Sequence, residues 1–215
     1  MITLSRFARI VTVVVTMTSA TSVLAGAYED ILAAVRDDHN DVVANLIQRG
    51  MDVNTSDPSG TTLLMVAAGN GNIELVEFLL RSGANILIQN QYGDTAVAIA
   101  ALRGKFAVVR RLVDAGAAID GSGWTPLHYA AYSGHADIAQ YLIDKHAPLD
   151  SRAPNGQTAL MLAARNGHLE VVKLLASANA DLQLSDSTGN TASDLALKAG
   201  NTDIADYLRR KIPHE

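Results

Sequence analysis

The side chains best equipped for chemistry are histidines and serines near the middle of the chain. His128 lies a few residues from Ser122 and Ser133, and a histidine beside a serine can act as the base that activates a nucleophile. His135 and His168 are 33 residues apart, and imidazoles are common ligands of transition metals. These residues define one hypothesis, a histidine-based metal protein or enzyme. A regular spacing that runs through most of the chain gives a simpler account of their positions.

Composition and motifs exclude several other classes of chemistry. The chain has no cysteine, which removes thiolate catalysis, disulfides and cysteine-based zinc sites. It contains no phosphate-binding glycine loop, dinucleotide-binding motif or zinc-protease motif. The adjacent carboxylates Asp37 and Asp38 lie near one end of the folded region, where solvation explains them more simply than acid–base work. We therefore expect no catalytic residue, no cofactor and no bound metal.

The chain repeats itself with a period of about 33 residues. One set of glycines recurs at steps of 33, 30, 33 and 33: Gly71, Gly104, Gly134, Gly167 and Gly200. A second set of glycines keeps the same steps: Gly60, Gly93, Gly123, Gly156 and Gly189. A threonine lies two residues after each of these: Thr62, Thr95, Thr125, Thr158 and Thr191. Self-similarity at this period predicts a solenoid of stacked units, and solenoids present long surfaces for partners.

Residues 57–89 show how one unit is built. Asp57, Pro58 and Gly60 favour a turn, and Thr62 is placed to cap a short apolar helix that ends at Gly71. A second helix follows with apolar residues at helical spacing. Gly83 then closes it with a left-handed cap. Each unit is thus predicted to be a turn followed by two helices.

Two stretches carry a resemblance to a known family. The sequences GWTPLHYAA at 123–131 and GQTALMLAARNGHLEVV at 156–172 resemble the ankyrin repeat signature, and the likeness runs from about residue 28 to 211. It implies an all-α repeat solenoid of helix-turn-helix units with short β-hairpin-like fingers. It also implies that His128 hydrogen-bonds loop backbone, and that His135 and His168 are structural residues near the turn between helices.

We expect about six units, counting the two caps: 28–56, 57–89, 90–119, 120–152, 153–185 and 186–211. The first lacks a finger, and the last ends in Arg209, Arg210 and Lys211. Polar outer faces are expected of terminal repeats, and basic residues suit the end of a helix.

Residues 1–27 have the layout of a secretory signal peptide. Arg6 and Arg9 precede a short apolar stretch, and small residues around Ala25 and Ala27 offer cleavage sites. An uncleaved anchor is the weaker alternative, because the apolar stretch is short and interrupted by Thr and Ser. Cleavage would change the net charge from −5 to −7, since it removes two arginines. We expect the mature protein in a bacterial periplasm, without membrane insertion.

Two departures from the repeat are informative. The stretch from Ala117 to Gly123 is three residues shorter than the stretch from Ala84 to Gly93, so one finger must be truncated. This is either a change to the groove or a neutral loop deletion. His146 and Asn179 stand where other units have glycine, which predicts helix caps strained by about 1 kcal/mol for the histidine.

Aromatic residues cluster in the two central units. By resemblance, Trp124 and Tyr132 face the concave side, where exposed aromatic side chains are common binding anchors. The alternative for Trp124 is packing on the next finger. Tyr129 is better explained by packing between units. The predicted partner-binding residues are Trp124, Tyr132, Tyr92, Asp94, Arg103 and Arg165.

These features predict a monomeric, non-catalytic adaptor that binds another protein. It would serve either as the helper of a partner enzyme or as an immunity protein that occludes a toxin. A structural array of the envelope is the alternative. Nucleic acid is not an expected partner, because the chain is acidic and has no extended run of Lys and Arg.

Overall fold

The computed structural model describes residues 28–212, and the predicted signal segment at 1–27 lies outside them. In this part of the chain the regular secondary structure is helical, with two isolated β-bridges and no strand. The first helix, α1, covers 28–36. The others are α2 (Asn40–Gln48), α3 (Leu63–Asn70), α4 (Ile73–Arg81), α5 (Ala96–Leu102), α6 (Phe106–Asp114), α7 (Pro126–Ser133), α8 (Ala136–Asp144), α9 (Ala159–Arg165), α10 (Leu169–Ser177), α11 (Ala192–Lys198) and α12 (Thr202–Lys211).

The helices form two layers that run the length of the array. The odd-numbered helices α3 to α11 pack on one another in chain order, and so do the even-numbered helices α2 to α12. Alanine pairs such as Ala130–Ala131 and Ala163–Ala164 are fully buried in the first layer. Their small side chains let neighbouring helices approach closely. The predicted all-α repeat solenoid is confirmed.

The threonine ladder caps the first helix of each unit from the second onward. The side chain of each threonine accepts a hydrogen bond from the backbone N–H three residues later. This contact satisfies one of the N–H groups that a helix start leaves without a partner. Thr125 is followed by Pro126, whose missing N–H has no helical partner to lose.

Four fingers are tight turns with the same internal bonds. In the finger that begins at Asp57, the Asp57 N–H donates to Thr61 O and the Gly60 N–H donates to Asp57 O. The same pair of bonds recurs in the fingers that begin at Asn90, Ala153 and Asp186. Contacts also join successive fingers, since the Gln91 N–H donates to Ser59 O at 2.9 Å.

The finger at 120–123 differs from these four. Within the described residues it makes neither turn bond, and no backbone bond joins it to the finger before or after it. Gly121 and Gly123 both adopt positive φ, at 136° and 97°. The predicted truncation is therefore confirmed, and it interrupts the row of fingers.

Among residues 28–212, three residues other than glycine occupy the left-handed region. His146 (φ 63°) and Asn179 (φ 68°) do so as predicted, in place of the glycine of other units. Asp38 (φ 56°) is the third, at the position that Gly71 holds one unit later. Asn70 and Asn72 donate to its carboxylate and lower its pKa from 3.8, so the strained residue also ties the first unit to the second.

Candidate protein-binding groove

Trp124 is the centre of an aromatic cluster. Its ring centroid lies 5.0 Å from that of Tyr129, at an interplanar angle of 37°. The Trp124 centroid also lies 5.8 Å from the ring centroid of Tyr132, and these two rings are nearly perpendicular, at 76°. Trp124 is half-buried, whereas Tyr132 is 42% exposed. Trp124 is therefore partly packed and partly accessible rather than a fully exposed side chain.

Tyr129 links this cluster to the preceding unit. Its hydroxyl donates a short hydrogen bond to the carboxylate of Asp94, which lies just before the cap of α5. Burial raises the pKa of Tyr129, and the nearby Asp94 carboxylate raises it further. The expected role of Tyr129 in packing between units is confirmed. Asp94 is thereby held in place beside the cluster.

A groove runs beside Asp94 between the second and third units. It has a volume of about 440 Å³, and Tyr92, Asp94 and Arg103 line it together with Asn70 and Ile99. Tyr92, near the tip of its finger, is the most exposed large apolar side chain of the described residues, at 73%. The groove thus offers an aromatic side chain, an acid, an arginine and an apolar floor within two adjacent units.

The six residues singled out from the sequence fall into three places. Tyr92, Asp94 and Arg103 share the groove, and Trp124 and Tyr132 form the cluster that Tyr129 joins to Asp94. Arg165 is the last residue of α9, one unit beyond Tyr132, and is half-buried. Among residues 28–212, Arg165 makes no hydrogen bond, ion pair or cation–π contact with the other five. A partner would have to span three units to touch all of them.

His128 is a structural residue in the core. It is 1% exposed, and its Nδ1 accepts from the backbone N–H of Thr125 at 3.1 Å. Nε2 therefore carries the proton and donates to the carbonyls of Ser151 (3.0 Å) and Gln157 (3.2 Å). Burial lowers the pKa of His128, although these two bonds oppose the shift. Both ring nitrogens are engaged with threonine and loop backbone, which leaves none for a serine nucleophile.

His135 and His168 tie neighbouring units together. Nε2 of His135 hydrogen-bonds Leu102 O at 3.3 Å, and Nε2 of His168 hydrogen-bonds Tyr132 O at 3.0 Å. Each ring therefore spans the gap to the end of the preceding first helix. Among the described residues, no cluster of three or more His, Asp or Glu side chains is arranged to hold a metal ion. The same residues include no helix long and apolar enough to cross a membrane.

The sequence did not indicate that Trp124 packs against Tyr129 and Tyr132, or that Tyr129 hydrogen-bonds Asp94. The sequence showed that the aromatic residues are concentrated in two units, but the contact between Trp124 and Tyr129 depends on how the shortened finger places the indole. The only signal in the sequence was the three-residue deletion before Gly123, and a deletion does not show where the shortened finger places the indole of Trp124.

Comparison with known proteins agrees with this architecture. A family model described as ankyrin repeats (3 copies) matches residues 29–90, 64–153 and 143–214. These matches span nearly all of the described residues, and the chain belongs to the ankyrin repeat family. Ankyrin repeats generally mediate protein–protein interaction, and the family is typically a non-catalytic binding module. A search of curated proteins found no match.

Proposed function

We propose that this protein is a non-catalytic adaptor that binds one partner protein through its concave face and fingers. The observation that carries the proposal is the groove of Tyr92, Asp94 and Arg103 beside the Trp124 cluster, within an ankyrin array. Tyrosine, tryptophan and arginine are the residue types most enriched at the energetic centres of protein interfaces. Their presence in two adjacent central units favours this surface over the rest of the array.

The contacts around the anchors favour tight binding because they fix the side chains in advance. Trp124 is packed against two tyrosines, and Asp94 is hydrogen-bonded to one of them. Ordering side chains on association costs about 0.5–1.5 kcal/mol each, and fixed side chains avoid much of that cost. Tyr92 and Tyr132 remain exposed and are available to a partner.

The proposed place of action is the bacterial periplasm, and the proposed state is a monomer. The charge pattern of residues 1–27 supports export, and cleavage would leave an acidic protein without Arg6 and Arg9. The partner is an enzyme that the protein assists or a toxin that it occludes. Mass spectrometry of envelope protein tests export, with a mature N-terminus expected at Gly26 or Tyr28. Uncleaved protein in the cytoplasm would contradict the proposed periplasmic location.

Photo-cross-linking in living cells tests the binding surface. A photoreactive phenylalanine analogue replaces Tyr92, which is exposed in the groove, or Glu74, which is exposed in the first turn of α4. We expect a discrete cross-linked protein from position 92 and none from position 74. The same cross-link from both positions, or from position 74 alone, would place the interface elsewhere.

A further inference from the structure

In the shortened finger, the acidic side chain accepts no hydrogen bond from the backbone of the turn. Asp57, Asn90 and Asp186 begin three of the regular fingers, and each side chain accepts hydrogen bonds from two backbone N–H groups of its own turn. In the shortened finger, Asp120 lies three residues before Gly123, as Asp57 lies three residues before Gly60. It makes no hydrogen bond and no ion pair within residues 28–212, and it is exposed. Its carboxylate is therefore available to a ligand.

A cleft opens beside Asp120. Its volume is about 430 Å³, within the range of about 300–1,000 Å³ that small ligands occupy. Leu87 and Gln89 line it together with Trp124, Thr125 and Pro126. Leu87 is 59% exposed, the most of any leucine among the described residues. Asp120 is the only charged residue of the lining.

We propose that this cleft takes an arginine side chain of the partner protein. The guanidinium would pair with Asp120 and stack against Trp124, while Leu87 covers the aliphatic part of the side chain. The proposal rests on the proposed function, because it specifies what the partner presents beside the groove. It also assigns a role to the three-residue deletion, which releases Asp120 from the turn.

Charge and shape favour arginine over other occupants. An acidic side chain would be repelled by Asp120, and an apolar one would desolvate the carboxylate without pairing it. A guanidinium is planar, so it can bind a carboxylate through two parallel bonds and stack on an indole at once. A lysine ammonium can make the ion pair but cannot provide the same planar stacking.

A fluorescence titration tests the proposal directly, because Trp124 is the only tryptophan of the chain. The probe is the blocked tripeptide acetyl-Gly-Arg-Gly-amide. A matched peptide carries citrulline, which keeps the planar shape of arginine but has no charge. The variants are Asp120→Asn and, as a control, Asp203→Asn, which removes an exposed acid in the first turn of α12. Circular dichroism verifies that each variant is folded.

We expect a saturable change in Trp124 fluorescence with the arginine peptide. Affinity should fall about fivefold or more for the citrulline peptide and for Asp120→Asn, and Asp203→Asn should bind as wild type does. Equal binding of the two peptides, equal binding by Asp120→Asn, or no saturable change would overturn the proposal.

The two proposals fail in different ways. A negative titration with a retained cross-link at position 92 would remove the arginine site and leave the adaptor function. A positive titration with no cross-linked protein would support the arginine site and count against the adaptor.

Discussion

The hydroxyl of Tyr129 donates a hydrogen bond to the carboxylate of Asp94, 35 residues earlier in the chain. This contact joins α7 to the finger of the preceding unit, next to the one finger that makes no backbone bond to its neighbours within residues 28–212. A side-chain bond thus links units where the row of finger bonds is interrupted. It also holds Asp94 between the groove and the aromatic cluster.

Tyr129→Phe should destabilise the protein at pH 7. The change leaves the Asp94 carboxylate without its partner, and a lost hydrogen bond to a charged group costs about 1.5–3 kcal/mol, less where water replaces it. Urea denaturation measures the difference. Tyr132→Phe is the matched control, because the Tyr132 hydroxyl makes no hydrogen bond in the described part of the chain. Equal losses in the two variants would show that the Asp94 contact contributes nothing specific.

The same bond should make stability fall at alkaline pH. The pKa of Tyr129 is raised by burial and by Asp94 above its ordinary value of 10.0. Its stabilising contribution is therefore complete below pH 10 and is lost as the pH rises, since the unfolded chain releases the proton first. The free energy of unfolding should decline less steeply between pH 9.5 and 11 in Tyr129→Phe than in wild type. Identical slopes would contradict this assignment.

Gly134→Ala should be more damaging than the same change at the last equivalent glycine, Gly200. Both have positive φ, at 78° and 84°, so the backbone strain is similar. A Cβ at position 134 would lie 2.5 Å from Nδ1 of His168, whereas a Cβ at position 200 would meet nothing within 4 Å. At Gly167 the nearest atom is Oδ1 of Asn201 at 3.3 Å, which is an intermediate case.

Denaturant midpoints test this order. We expect Gly134→Ala to lose at least about 1 kcal/mol more than Gly200→Ala, because the His168 ring must leave the Tyr132 carbonyl. Gly167→Ala should fall between them. Equal shifts at all three positions would mean that backbone strain alone, and not steric contact of the added Cβ, determines the loss of stability.

His128 should make the protein less stable in mild acid. Burial lowers the pKa of His128 below its ordinary value of 6.5, so the folded state favours the neutral ring. Its contribution is complete above pH 6.5 and is lost as the pH falls, because the unfolded chain takes up the proton first. His128→Met introduces the residue found at the equivalent positions, Met65 and Met161. The variant should be less stable at pH 8, and its stability should depend less on pH between 7 and 5. An unchanged pH dependence would contradict the prediction.

The repeat architecture could be predicted because its signals are local. A threonine at a helix start and a glycine at a left-handed position act through their own backbone, so Thr125 and Gly134 could be assigned from the sequence and are found in those roles. The resemblance to the ankyrin signature implied that His128 hydrogen-bonds loop backbone, and the contacts to Ser151 and Gln157 confirm it.

The site could be predicted only in part, because its contacts depend on the path of one shortened finger. Asp120 has the same residue type as Asp57 and Asp186 and the same spacing to the finger glycine, yet it lacks their turn bonds. The pairing of Tyr129 with Asp94 likewise crosses two units and leaves no periodic trace in the sequence. The residue types indicated the candidate site residues, whereas the packing of the units determines which of these side chains are in contact.

The most direct test of the binding surface is a titration of the cross-linked partner, once purified, against matched variants. Trp124→Ala removes the centre of the cluster, Tyr92→Ala removes an exposed side chain with little risk to the fold, and Glu74→Ala is the control on α4. Anchor truncations often cost 2 kcal/mol or more, so we predict that Trp124→Ala weakens binding at least about tenfold, Tyr92→Ala weakens it measurably, and Glu74→Ala leaves it unchanged. Wild-type affinity in both Trp124→Ala and Tyr92→Ala, with the fold intact by circular dichroism, would contradict the account.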